Sequence, residues 1–99
     1  MNTEKIKTFL DDKGRIKIYP AKRKLKNFCL LYLREKFESN KIYTEKEINN
    51  IILDWTHFND PATIRRELYN AKILNREKDC TSYWLEEKTP FLNEEGMFK

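Results

Sequence analysis

The chain has 99 residues, enough for one domain that buries roughly two thirds of its unfolded surface without metal or disulfide support. At 36% charged and 39% hydrophobic residues, with two glycines and three prolines, the composition is that of a helical globule and excludes a disordered or low-complexity chain. The net charge of +4 points mildly to an anionic partner, and the lack of a long apolar run or signal-peptide pattern predicts a cytoplasmic protein without a membrane span.

In chain order, Thr3 can cap a short first helix whose Ile6, Phe9 and Leu10 share one face, ending near "DDKG". "RIKIY" alternates polar and apolar residues, the pattern of a short strand. Pro20 precedes a long helix at about 21–38. Its apolar residues form two stripes, Leu25, Phe28, Cys29 and Tyr32 against Leu30, Leu33 and Phe37. A helix apolar on two sides is sandwiched, so this one should be central. "SNKIY" reads as a turn and a minimal strand, and "TEKE" at 44–47 as a capping box. Ile48, Ile51, Ile52 and Trp55 then follow at the spacing of one buried helix face. "THFND" breaks that helix, and Asp60 and Pro61 open the next, at 60–72, as cap and first helical residue. Ile64, Leu68 and Ala71 line its inner side; Arg66 points almost directly away, with Ala62, Thr63, Tyr69 and Asn70 around it and Arg65 on the flank. "ILNRE" and "SYWL" read as two strands joined by "KDCT". The last stretch is an acidic tail in which Phe91, Leu92, Met97 and Phe98 are candidates for docking.

The charge is unevenly placed. Residues 13–26 hold seven cations and no acid, leaving a net −3 on the rest of a chain whose total is +4. A solvated basic face and a phosphate-contacting arm both fit that run.

The element order predicts a mainly α fold with a small β-hairpin: a winged helix-turn-helix with a short N-terminal helix and a C-terminal tail. The expected organisation is a single winged-helix-like domain over 1–85, with 1–20 as N-terminal helix and basic strand, 21–85 as core and 86–99 as tail. In such a unit the second helix enters the major groove, where an outward arginine reaches guanine edges or phosphates, and the hairpin approaches the backbone or minor groove. Duplex DNA is therefore the expected partner. The expected contacts are Thr63, Arg65, Arg66 and Asn70 on the 60–72 helix, Arg76 and Lys78 on the wing, and Lys22, Arg23 and Lys24 on phosphates.

"ATIRRELYNAKILNRE…SYW" resembles the recognition-helix-plus-wing segment of many bacterial regulators, including the DeoR type, in which a Thr-Ile-Arg-Arg element opens the recognition helix. More closely, "DDKGRIKIYPAKRKLKNFCLLYLREKF", "YTEKEIN" and "TIRREL", in that order, resemble prokaryotic domain-of-unknown-function family 2087, over about residues 9–85. Members of that family occur alone or fused behind helix-turn-helix regulators of the ArsR type. The resemblance implies a winged-helix-like fold and a link to transcription, and supplies no ligand, activity or binding residues. One departure stands out: the hairpin tip "KDCTS" has no glycine after the acid, where related wings usually place one.

The fusion context implies a second reading, a protein–protein adaptor or dimerisation module without direct DNA binding, since a fold does not fix a function. In it Arg65 or Arg66 pairs with acids such as Glu67 or Glu45. A homodimer through the first helix and the tail around Phe91 and Met97 fits either reading. RNA binding ranks third, with only Tyr69 and Tyr83 as stacking candidates. An enzyme is the weakest class, and no cofactor or metal is expected. His57 is the only histidine, Cys29 reads as a small core residue, and Cys80 at the hairpin tip has no ligand-spaced partner. The acid pairs at 11–12, 86–87 and 94–95 lack calcium-loop spacing.

Overall fold

A computed structural model describes residues 3–88 and 90–98. The elements are a 3₁₀ helix, Thr3–Phe9, then α1 (Arg23–Arg34), α2 (Glu45–Trp55), α3 (Pro61–Asn70), β1 (Leu74–Arg76) and β2 (Tyr83–Leu85). This is a mainly α fold with a small hairpin, in the order of a winged helix-turn-helix. No helix among the described residues is long and apolar enough to cross a membrane.

α1 is central, as its two stripes require. Phe28, Cys29 and Tyr32 on one side and Leu30 and Leu33 on the other are all buried. The 3₁₀ helix packs on α1 through buried Ile6, α2 packs on α3, and α3 reaches α1 and β1. Ile48, Ile52, Ile64 and Leu68 are fully buried in the same core as Phe28 and Tyr32, with half-buried Trp55 packed against it. Burial pushes the Cys29 thiol up to about 12, so it stays a neutral apolar filler.

α2 begins where its local chemistry dictates. The Glu47 amide donates to Thr44 Oγ1 at 3.1 Å and the Thr44 amide donates to Glu47 Oε1 at 2.8 Å, a complete capping box. The side chain of Thr3, expected to cap the first helix, lies outside the described residues.

Three expected elements come out shorter. α1 ends at Arg34 rather than near 38, because the amides of Glu35, Lys36 and Phe37 donate to carbonyls three residues back, at 3.2, 2.9 and 3.2 Å. That tighter turn tucks Phe37 edge-on against Tyr43, ring centroids 5.8 Å apart. "RIKIY" is not a strand. Its bridges centre on one residue, Ile16, which donates to the Trp55 carbonyl at 2.8 Å and accepts from the His57 amide at 2.9 Å beside Thr56. Opposite Leu10, the Lys17 amide donates to the Phe9 carbonyl at 2.7 Å and the Asp11 amide to the Arg15 carbonyl at 2.8 Å. The chain enters this site from Gly14, whose φ of +82° suits the turn and whose carbonyl accepts from Tyr32 Oη at 2.6 Å. "SNKIY" likewise supplies one bridge, with Tyr43 and Tyr83 exchanging bonds of 2.8 Å, so the wing sheet has a one-residue third member.

α3 ends at Asn70 without a glycine. The Lys72 amide donates to Tyr69 O and the Ile73 amide to Leu68 O, each at 3.0 Å, which is a Schellman turn with Lys72 at φ +62°. Holding an L-residue there costs about 1–2 kcal/mol, while glycine loses about 0.5–1 kcal/mol more backbone entropy on folding. Lys72→Gly is therefore expected to raise stability by about 0.5–1 kcal/mol, read from urea midpoints; a loss would show that the lysine side chain supports the fold.

The hairpin pairs Leu74 with Leu85, Asn75 with Trp84 and Arg76 with Tyr83. At its tip, Cys80 takes φ +63°, the position after the acid that glycine fills in related wings. Asp79 Oδ1 accepts from the Thr81 amide at 3.1 Å and the Thr81 hydroxyl at 2.7 Å, which closes the turn without glycine. The acidic tail docks. Leu92 and Phe98 pack on the core, and buried Asn27 donates from Nδ2 to Gly96 O at 2.8 Å.

Candidate nucleic-acid interface

α3 distributes its side chains among four surroundings. Asp60 caps it by accepting from the Thr63 amide at 3.4 Å, and Pro61 sets the first helical φ. Ile64 and Leu68 then face the core. One position on, Arg65 leans onto α2: its Nη1 donates to Asn49 Oδ1, and its Nη2 lies 3.3 Å from Glu45 Oε1. Arg65 is thus an internal tie between the two helices, with only 19% of its side chain exposed. Arg66 faces outward and is exposed, with no carboxylate in ion-pair range among the described residues.

The hairpin meets this outward face. Register places Arg76 at the end of β1, and its guanidinium lies 4.4 Å from the centroid of the Tyr69 ring. Arg76 Nη1 donates to Cys80 Sγ at 2.7 Å and to the Glu77 carbonyl at 3.5 Å. Between α3 and the hairpin lies a cleft of about 170 Å³, lined by Arg65, Arg66, Tyr69, Arg76, Cys80, Tyr83 and Glu45. Lys78 is exposed at the tip beyond it.

The basic segment does not act as one face. Arg15 pairs with Asp11 at 3.2 Å, and Lys26 lies 5.3 Å from the Tyr19 ring centroid. Arg23 forks onto Glu67 of α3, Nη1 to Oε1 at 3.0 Å and Nη2 to Oε2 at 2.9 Å, with the Tyr19 hydroxyl also donating to Oε1. Lys22 and Lys24 are exposed on either side of it. Of the residues expected on phosphates here, Arg23 thus already has an internal carboxylate partner; Lys22 and Lys24 point to solvent. His57 closes the α2–α3 turn onto the N-terminal segment, its Nε2 2.7 Å from Asp11 Oδ2.

The Arg23 guanidinium holds the Glu67 carboxyl below its usual range, with the Tyr19 hydroxyl adding to the shift and burial opposing it. A carboxyl depressed in the folded state contributes stability above its unfolded pKa, lost as pH falls through the folded value. Glu67→Gln is therefore expected to be less stable than wild type at neutral pH, with the gap closing below about pH 4. Urea unfolding of both proteins at neutral and acidic pH checks this; a gap that persists in acid would assign the loss to hydrogen-bond geometry instead of charge.

Thr63 and Asn70 sit apart from the cleft. Thr63 lines a hollow with Lys17, Ile18, Tyr19 and Phe58, whereas Asn70 faces Lys72, Asn75 and Glu86 near the helix end. Of the expected contacts, the fold brings Arg65, Arg66 and Arg76 together. Of the acids offered by the sequence to Arg65 or Arg66, Glu45 pairs with Arg65 whereas Glu67 pairs with Arg23 instead; neither Tyr69 as the ring near Arg76 nor Asn49 as a partner of Arg65 was expected. Tyr69, Asn49 and Glu67 lie 7, 16 and 44 positions from their arginines in the chain, and no local pattern marks these pairings.

The family model described as "Uncharacterized protein conserved in bacteria (DUF2087)" matches residues 15–85. The chain belongs to this family. The DUF2087 segment contains α1, α2, α3 and the hairpin, and with them every expected contact residue; the 3₁₀ helix and the docked tail lie outside it. Comparison with curated proteins and with solved structures gave no match.

Proposed function

We propose that this DUF2087 protein binds duplex DNA as a transcription-associated winged-helix protein of the cytoplasm, through α3 and the wing, and carries out no catalytic step. The observation that carries the reading is the convergence of Arg66 and Arg76, from α3 and the hairpin, on one cleft, with no carboxylate in ion-pair range of either among the described residues. Arginine suits both tasks such a unit performs, gripping phosphate and reading guanine with two parallel bonds. Exposed Lys22 and Lys24 supply further phosphate contacts, while Arg23 contributes only when Glu67 releases it.

The test is a salt titration of binding to mixed-sequence duplex. Binding should weaken steeply with salt, and Lys22→Ala or Lys24→Ala should lower the slope by roughly one unit each. Weak, salt-insensitive binding would favour the adaptor.

A specific feature supports that second reading. The outer side of the hairpin carries a groove of about 780 Å³ lined by Ile42, Trp84, Leu85, Lys41, Lys88 and three glutamates, with Ile42 63% exposed. Its acids suit a protein segment better than a polyanion. A homodimer remains part of the proposal in either case, with exposed Phe91 as its most available apolar contact. Sedimentation at micromolar concentration, with and without the tail, tests it.

A further inference from the structure

The cleft between α3 and the hairpin holds a charge imbalance. Glu45 is its one acid among the described residues, and Arg65 already pairs with it at 3.3 Å. Arg66 and Arg76 are left as two like charges on one small hollow, an arrangement that Coulomb repulsion opposes unless an anion enters.

Arg76 is also pre-set for such a guest. Its guanidinium is held 4.4 Å from the Tyr69 ring centroid, and the contacts to Cys80 Sγ and the Glu77 carbonyl both use Nη1. The Nε–Nη2 edge, which can grip an oxyanion with two parallel bonds, has no partner among the described residues. The volume narrows the guest further. At about 170 Å³ the cleft falls below the roughly 300–1,000 Å³ of small-molecule pockets, so it admits a charged group and leaves the rest of the ligand outside.

We infer that this cleft is a phosphate-binding site, in which the Nε–Nη2 edge of Arg76 grips one phosphate group and Arg66 supplies the second positive charge. The phosphate belongs either to a nucleic-acid backbone or to a free phosphorylated small molecule. The first source rests on the function proposed above; the second does not.

The test is an NMR titration of the ¹⁵N-labelled full chain with inorganic phosphate at constant ionic strength, with chloride as the control anion. Saturable shifts confined to residues 65–69 and 76–83 are expected. Arg76→Gln and Arg66→Gln should each weaken phosphate binding by about tenfold, the worth of one charge-assisted hydrogen bond, while Lys88→Ala on the opposite groove leaves it unchanged. Arg66 is exposed, so its variant keeps the test valid if Arg76→Gln perturbs the hairpin. Shifts that never saturate, that spread along residues 13–26, or that saturate at the same phosphate concentration in Arg66→Gln as in wild type overturn the inference. Duplex added to the phosphate-loaded protein then separates the sources. Displacement from these resonances assigns the site to the nucleic-acid backbone; undisturbed resonances assign it to a free phosphorylated ligand. A chain that takes up phosphate here and binds no duplex contradicts the proposed function alone, and a chain that binds duplex without responding to phosphate contradicts this inference alone.

Discussion

Leu68→Ala is expected to destabilise the fold by about 2–5 kcal/mol, the usual cost of emptying a fully packed leucine site. Leu68 is 0% exposed and sits in the shared core with Ile48, Ile52 and Ile64, where α3 meets its neighbours. Its carbonyl also accepts the Ile73 amide that closes the helix, so the residue anchors both the packing of α3 and the turn leading into the hairpin. Urea unfolding monitored by tryptophan fluorescence measures the loss. A cost below the lower bound would mean that α3 is not locked into the core, and the positions of Arg66 and Arg76 would lose their basis.

The second large effect concerns reading of the duplex. Arg66→Ala should weaken binding to the preferred duplex, once selected from a random pool, by about 1–3 kcal/mol more than it weakens binding to scrambled DNA, where only its charge near phosphate is lost. Arg66 has the geometry for this because it leaves the exposed face of α3 without an internal partner among the described residues. Arg65→Ala should differ in kind. Arg65 joins Glu45 and Asn49 of α2, so its loss should lower stability while leaving the preference between duplexes intact. One binding series with all three proteins on both duplexes decides the matter. Arg66→Ala binding both duplexes as wild type does would leave α3 with no reading role.

What the sequence revealed and what it hid divides along chain distance. The capping box at Thr44–Glu47, the Asp60–Pro61 start and the apolar spacing of Ile48, Ile52, Ile64 and Leu68 are signals within one or two helical turns, and the fold follows them. The end of α3 was visible only roughly, because Lys72 takes the left-handed conformation without the glycine that usually announces it. Ile16 bridges Leu10 nearby and Thr56 some forty positions away, so its alternating neighbours suggested a strand longer than the single paired residue that these partners allow. The same applies at the candidate site. The outward direction of Arg66 follows from helical spacing, whereas the capture of Arg23 by Glu67 and the cation–π contact of Arg76 with Tyr69 depend on how α1 and the hairpin meet α3.

The most direct measurement is a map of where duplex touches the chain, from amide shifts of the ¹⁵N-labelled protein titrated with its preferred duplex at low salt. The largest changes are expected at residues 62–70 of α3, at 76–82 of the hairpin and at 22–24 before and within the first turn of α1. Changes centred instead on 40–42 and 84–88, or no saturable change at any duplex concentration, would contradict DNA binding through α3 and the hairpin.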